Sequence, residues 1–201
     1  MRSPHPSLDF LARRQLVTHF EYIAIALSLV FSFTSLRLVG GLAHALDQAS
    51  RYWVHASLSI ATLFMVTIVF WAFWSMRVVD WTYPKFILAL SGPGALFYVA
   101  TTLVPNDPST IKSWREYYFS VRTRVFLGLG AWALLTAISS TLLLEMPLRH
   151  PARAGQLMLL TISVVGMASQ SPRVHAGLAL TWLAGIVVFG LSIFVSPDAL
   201  S

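Results

Sequence analysis

Residues 52–76 read YWVHASLSIATLFMVTIVFWAFWSM, and this stretch decides the fold of the chain. It contains no Asp, Glu, Lys or Arg. It is also longer than the ~20 apolar residues that a helix needs to cross a bilayer. The stretch therefore predicts a transmembrane helix.

The composition of the whole chain leads to the same conclusion. Of the 201 residues, 56% are hydrophobic and 11% are charged, and the mean hydropathy is +0.69. Soluble proteins contain roughly 25% charged residues, so this chain lacks the charge to cover a soluble surface. We predict an all-α integral membrane protein that forms one membrane domain over residues 1–201.

Five further apolar segments flank residues 52–76, and the breaks between them contain charged and turn residues. The six predicted transmembrane helices cover residues 22–46, 52–76, 84–104, 125–144, 154–170 and 173–195. The fifth is the shortest. Short loops connect these helices, and their even number places both termini on the same side of the membrane.

Two amphipathic segments are predicted to lie in the membrane interface rather than across it. Residues 1–20 form an N-terminal segment in which leucines accompany Arg13 and Arg14. Between the third and fourth spans, apolar side chains recur at helical spacing over residues 111–121. We therefore predict an interfacial amphipathic helix between helices 3 and 4.

The N-terminal sequence also bears on processing and orientation. Arg13 and Arg14 precede the first apolar segment, and Ala43-His44-Ala45 is similar to a signal-peptide cleavage site, but Arg37 lies between them. We predict that the first helix is retained. Lys and Arg are nearly balanced between the two sides, so Arg13 and Arg14 alone favour cytoplasmic termini.

Short aromatic and small-residue motifs recur along most of the chain. They are Glu21-Tyr22, Gly40-Gly41, Tyr52-Trp53-Val54-His55, Trp71-Ala72-Phe73-Trp74, Trp81-Thr82-Tyr83 and Arg115-Glu116-Tyr117-Tyr118. Together they resemble a family of small, uncharacterised bacterial inner-membrane proteins. The resemblance implies a bacterial inner (plasma) membrane location and six helices, and it implies no activity.

Helix 1 carries polar residues on two faces. Glu21, Ser28, Ser32 and Ser35 lie on one stripe. Arg37 and other polar residues lie on nearly the opposite side, where Arg37 either finds a partner or extends to the interface. A helix that is polar on two sides should be enclosed by protein, and the stripe is a candidate permeation path.

Helix 3 contains a second candidate for that path, at Gly92, Pro93 and Gly94. Proline removes a backbone donor, and glycine allows the chain to leave helical geometry. The sequence leaves two interpretations open. The segment is either a kink packed against neighbouring helices or a break that exposes backbone groups to a solute or ion.

Three histidines lie near helix ends in the same predicted leaflet: His44, His55 and His175. Neutral imidazoles can bind zinc or copper, and two facing histidines can be the axial ligands of haem b. Histidines at helix ends also serve as hydrogen-bonding structural groups. The identity of a cofactor, and whether one is bound, stays open.

Small residues at regular spacing on helices 5 and 6 permit close helix packing. They are Ser163, Gly166 and Ser169 on helix 5, and Gly177, Thr181 and Gly185 on helix 6. They can pack these two helices within one chain. They can also pack against a second copy or a larger membrane complex.

The sequence excludes several functions. It has no cysteine, which rules out disulfides and thiolate metal sites, and its basic residues are too scattered for a nucleic-acid surface. We find no nucleophile elbow, P-loop or HExxH motif, which disfavours an enzyme. The leading hypothesis is an ion or solute channel or transporter in the lipid bilayer. A histidine-based redox protein and an accessory subunit are the alternatives.

Overall fold

The computed structural model describes residues 18–47 and 51–195, with side chains described as far as residue 191. These residues form six α-helices, which we number in chain order. They are α1 (His19–Ala45), α2 (Trp53–Ala72), α3 (Tyr83–Leu103), α4 (Trp114–Leu144), α5 (Ala152–Ala168) and α6 (Pro172–Val195). Short 3-10 helices cover Phe73–Val78 and Pro108–Thr110. The described residues contain no β-strand, so the all-helical class is confirmed.

Capping residues determine where helices begin. At the start of α1, the Thr18 hydroxyl accepts the Glu21 N–H at 3.2 Å, and the Glu21 carboxylate accepts the Thr18 N–H at 2.7 Å. Ser113 caps α4 by accepting the Glu116 N–H. Residues 1–17 of the predicted interfacial segment lie outside the described residues, and residues 18–20 belong to the start of α1.

The six helices pack side by side in a ring, in the order α1, α2, α6, α5, α4, α3 and back to α1. Helices that follow each other along the chain run in opposite directions. For example, Phe20 at the start of α1 stacks on Phe73 just after the end of α2, with 5.2 Å between ring centroids. We call the end of the ring where α1, α3 and α5 begin the terminal face. The other end, where α2, α4 and α6 begin, is the opposite face.

Five helices are long and apolar enough to cross a membrane, namely α1, α2, α3, α4 and α6. Helix α5 has 17 residues, which is fewer than the ~20 of a typical span. The described helices are therefore compatible with a polytopic membrane protein. The count of six spans stays a prediction.

The predicted interfacial helix between helices 3 and 4 is wrong. Helix α4 has 31 residues and runs without interruption from Trp114 to Leu144. Its first turns bury Trp114, Tyr118 and Val121 inside the ring. The apolar stripe over residues 111–121 therefore marks a helix face that packs against protein, not against lipid headgroups.

The half of the ring next to the opposite face is a close-packed apolar core. Its completely buried side chains include five from the second half of α3 and the first half of α4. They are Leu96, Val99, Leu103, Val125 and Leu129. Protein interiors with this packing leave few voids larger than a water molecule.

Small residues pack α5 and α6 against the rest of the ring. A Cβ atom at Gly166 would lie 2.5 Å from the Phe126 ring, and one at Gly185 would lie 2.4 Å from Met158 Cε. Gly166 and Gly185 therefore allow close helix packing within one chain. Gly177 is exposed on the outer surface, and its use between copies stays a prediction.

Candidate functional site

A cavity of about 210 Å³ occupies the half of the ring next to the terminal face. All six helices contribute to its wall, and the wall is mainly apolar. Residues that line it include Phe31 of α1, Met65 of α2, Ala89, Gly92 and Pro93 of α3, Trp132 and Thr136 of α4, Gly155 and Leu159 of α5, and Trp182 and Ile186 of α6. The lining runs from the middle of the ring to Met146 and Gln156 at the terminal face.

Glycines on two helices leave this space open. A Cβ atom added at Gly92 or Gly155 would meet no atom within 4 Å. A larger side chain at either position would therefore enter the cavity without displacing its neighbours. The cavity exists because the sequence places residues without side chains where two helices face it.

Two tryptophans in the cavity wall have unused hydrogen-bond donors. Trp132 and Trp182 are 4% and 0% exposed, and the indole Nε1 of each is buried with no hydrogen-bond partner among the described residues. A buried donor without a partner costs roughly 1–3 kcal/mol. An acceptor oxygen that reached either N–H would recover part of that free energy.

A polar network borders the cavity at the terminal face. Arg153 donates from Nη1 to the Ser140 hydroxyl at 2.9 Å and to the Gln156 side-chain oxygen at 3.0 Å. Its Nη2 donates to the Met146 carbonyl at 2.7 Å. The sequence alone gives no reason to single out Arg153, because its partners lie on two helices and in the loop between them.

At the opposite face, His175 is buried in a hydrogen-bonded chain. The Tyr118 hydroxyl donates to His175 Nδ1 at 2.7 Å, and His175 Nε2–H donates to the Ser169 carbonyl at 3.0 Å. This arrangement assigns the proton to Nε2, because a carbonyl only accepts. Both ring nitrogens are therefore occupied.

His55 has a similar structural role on α2. Its Nε2–H donates to the Leu103 carbonyl at 2.9 Å, and its ring stacks on Trp114 with 4.6 Å between centroids. Its Nδ1 is buried without a partner among the described residues.

The structure brings together two of the three predicted histidines. His55 and His175 lie on either side of Tyr118, at ring-centroid distances of 6.4 and 5.3 Å. His44 is exposed and contacts the Gly40 carbonyl at 3.3 Å. Within the described ranges, no three His, Asp or Glu side chains form a group that could hold a metal ion.

The predicted polar stripe of helix 1 lies away from the cavity. Glu21 and Ser32 are exposed, Ser28 and Ser35 are half-buried, and none of the four lines the cavity. The Ser28 hydroxyl donates to the Ile25 carbonyl of its own helix at 2.9 Å. A serine that is satisfied in this way can face outward, so the expectation that α1 is enclosed on both polar sides is wrong.

Of the two interpretations left open for helix 3, the structure has the packed helix, because α3 continues through Pro93 from Tyr83 to Leu103. Gly92 and Pro93 are buried and line the cavity, whereas Gly94 is exposed. Pro93 cannot donate to the Ala89 carbonyl, and Ala89 also lines the cavity. The helix stays continuous because its other turns keep their hydrogen bonds.

Comparison with known proteins gives no assignment. The chain matches no protein-family model, and no curated protein or solved structure is detectably similar to it. The cavity and the residues next to it are therefore the basis for a functional assignment.

Proposed function

We propose that this chain is a multi-pass membrane protein that binds a small lipophilic molecule in its central cavity. The observation that carries the proposal is the mainly apolar cavity wall, which includes the side chains of Trp132 and Trp182 with their unpartnered indole N–H groups. Sites of this kind bind ligands through apolar contact and orient them with a few polar groups. The bilayer itself is the source of such molecules.

Size and chemistry define the ligand class. The cavity volume of about 210 Å³ exceeds the ~150 Å³ of an engineered cavity that binds benzene. It accommodates a single ring with short substituents, or the head of a longer molecule. Because the unused groups are donors, the ligand needs acceptor oxygens, as in a quinone or an ester.

The same features argue against a water-filled channel. Polar solutes need polar groups along their path, but the cavity wall is mainly apolar and its described lining comes from one half of the ring. The other half contains the close-packed core around Leu96 and Leu129. The histidine alternative would require His175 Nδ1 to give up its hydrogen bond from the Tyr118 hydroxyl, and it would leave only the buried Nδ1 of His55 as a second ligand.

The setting that we propose is a bacterial inner membrane with both termini in the cytoplasm. Arg13 and Arg14 before the first helix support this orientation. The location rests on the resemblance of the sequence motifs to small bacterial inner-membrane proteins. All six helices of one chain line the cavity, so a single copy of the chain provides the whole binding site that we propose.

The proposal can be tested with a short-tailed benzoquinone as the probe. We expect saturable quenching of tryptophan fluorescence in the purified protein, because two tryptophans line the site. Gly155→Leu fills the cavity and should weaken binding at least about tenfold, since it removes the space for the ring. Gly177→Leu adds the same side chain on the outer surface and should leave binding unchanged.

A second variant tests the donors separately from the space. Trp182→Phe keeps an aromatic ring and removes one N–H, so affinity should fall roughly two- to tenfold, as expected for one hydrogen bond. The free energy of unfolding should not fall by the cost of a lost hydrogen bond, because this donor has no partner to lose. Quinone binding that survives both Gly155→Leu and Trp182→Phe at wild-type affinity would refute the cavity as the site.

A further inference from the structure

A second site, separate from the cavity, lies on the outer surface between α1 and α3. We call it the α1–α3 groove, and its volume is about 560 Å³. The residues that define it are Phe33, Leu36, Arg37, Gly40 and His44 of α1, Phe97 and Thr101 of α3, and Asn106 beyond α3. This groove has a polar end near the opposite face and an apolar end nearer the middle of α1.

Arg37 carries a positive charge in this groove about two turns before the end of α1. Its Nη2 donates to the Val104 carbonyl at 3.0 Å and to the Asn106 side-chain oxygen at 2.7 Å. Both acceptors are neutral, so these contacts orient the guanidinium without compensating its charge. A charged side chain at membrane depth is costly unless it is paired.

The guanidinium also has unused donor capacity. Arginine has five N–H donors, and the contacts of Arg37 with described residues use only its Nη2. His44 lies two turns further along α1, lines the same groove and is exposed. The polar end of the groove therefore offers donors and the positive charge of Arg37 to an anion.

The apolar end fits a hydrocarbon chain. Phe33 and Leu36 are 60% and 71% exposed, and Phe97 is 39% exposed. Gly40 also lines the groove, and a Cβ atom there would meet nothing within 4 Å. An acyl chain can therefore lie along these apolar groups while its headgroup reaches the guanidinium.

We propose that the α1–α3 groove binds an anionic phospholipid of the bilayer, with the phosphate on Arg37 and an acyl chain against Phe33, Leu36 and Phe97. Arginine forms paired, charge-assisted hydrogen bonds with phosphate. Basic pockets between transmembrane helices bind lipid headgroups by the same chemistry. This site goes beyond the proposed function, and it requires nothing of the central cavity.

The test measures the thermal stability of delipidated protein in a neutral detergent, with one addition at a time. Phosphatidylglycerol should raise the unfolding temperature in a saturable way, because it binds the folded state. Phosphatidylcholine at the same concentration should have a much smaller effect. Inorganic phosphate should have none, because it has no chain to occupy the apolar end.

Two variants locate the effect. Arg37→Gln should lower the apparent affinity for phosphatidylglycerol at least about tenfold, as expected when a charge-assisted hydrogen bond is lost. If that variant fails to fold, Gly40→Leu blocks the groove and keeps Arg37, and it should have the same effect on affinity. Arg173→Gln, an exposed arginine at the same face of the ring, should behave like the wild type.

Three results would overturn the proposal. One is a rise in unfolding temperature with phosphatidylcholine or inorganic phosphate that equals the rise with phosphatidylglycerol. Another is an unchanged affinity for phosphatidylglycerol in the folded Arg37→Gln and Gly40→Leu variants. The third is a result from native mass spectrometry in which the Arg37→Gln variant no longer binds a second copy of the chain but retains as much bound lipid as the wild type.

Discussion

At the opposite face, individual side chains satisfy the carbonyls at the ends of helices. The last four carbonyls of a helix have no donor within the helix, and the membrane core offers no water to replace one. The donors here are Trp114 to the His44 carbonyl, Tyr117 to Thr102, His55 to Leu103, Arg122 and His175 to Ser169, and Arg37 to Val104. This accounts for buried histidines without invoking a cofactor.

The hydroxyl group of Tyr118 should therefore contribute to the free energy of unfolding. Tyr118→Phe removes the hydroxyl that donates to His175 Nδ1 and leaves that buried nitrogen without its partner. We expect the free energy of unfolding to fall by about 1–3 kcal/mol. Thermal unfolding in detergent measures the change.

The matched control is Tyr98→Phe, because Tyr98 is an exposed tyrosine on α3. Its change in stability should be much smaller. Equal losses in the two variants would mean that the hydrogen bond between Tyr118 and His175 contributes nothing specific.

At the scale of the helix, the sequence located α3 and its proline but left open whether the helix breaks there. The spacing of apolar residues predicted a helix over residues 84–104, and the structure has Tyr83–Leu103. Whether Pro93 breaks a helix depends on the neighbours that pack around it. The helices that pack against α3 are α1, α2 and α4, and no local pattern specifies them.

Because α3 is continuous, Pro93→Ala should stabilise the protein. Alanine restores an N–H that can donate to the Ala89 carbonyl, and an interior proline costs ~3 kcal/mol relative to alanine. The smaller side chain loses part of this gain through lost apolar contact, at about 0.8 kcal/mol per methylene group. We expect a net rise in the unfolding temperature.

Gly94→Ala, on the exposed side of the same turn, provides the comparison. It should give a smaller rise, from helix propensity alone. A lower unfolding temperature for Pro93→Ala, together with a rise for Gly94→Ala, would show that the ring requires the proline.

The same limit explains the interfacial helix and the polar stripe. Periodicity reports that one face of residues 111–121 is apolar, but it does not report whether lipid or protein covers that face. Similarly, spacing places Ser28 and Ser32 on one stripe. It does not reveal that a serine hydroxyl can bond to its own helix and remain at the surface, as Ser28 does.

At the scale of the whole molecule, the cavity could not be predicted from the sequence. Its lining comes from six helices, and only their packing places Phe31 of α1 near Trp182 of α6 in one wall. The sequence revealed Gly92 as an unusual residue but not that it faces empty space. The charge pattern, by contrast, was sufficient to recognise the apolar helices and most of their ends.

The topology makes a direct prediction, because the chain contains no cysteine to interfere with labelling. Single cysteines can replace Ser109, Arg149 and Ser171, which are exposed in three different loops. If all six helices cross the membrane, an impermeant thiol reagent should label Ser109→Cys and Ser171→Cys from one side. It should label Arg149→Cys from the other side.

The labelling experiment tests most directly whether helix α5 crosses the membrane. Residues 149 and 171 flank α5, so labelling of both from the same side would show that this helix does not cross. The result for Ser109→Cys compared with Arg149→Cys tests α4 independently.

The unequal lengths of α4 and α5 have a consequence for the surrounding lipid. At 1.5 Å per residue, the 17 residues of α5 extend only about 25 Å, whereas the hydrocarbon core of a bilayer is about 30 Å thick. The apolar part of α4, residues 125–144, matches that thickness. If α5 crosses the membrane, it therefore imposes a hydrophobic mismatch that its neighbour α4 does not. Short-chain lipids should gather beside α5, where the membrane is thinned next to the rim of the cavity.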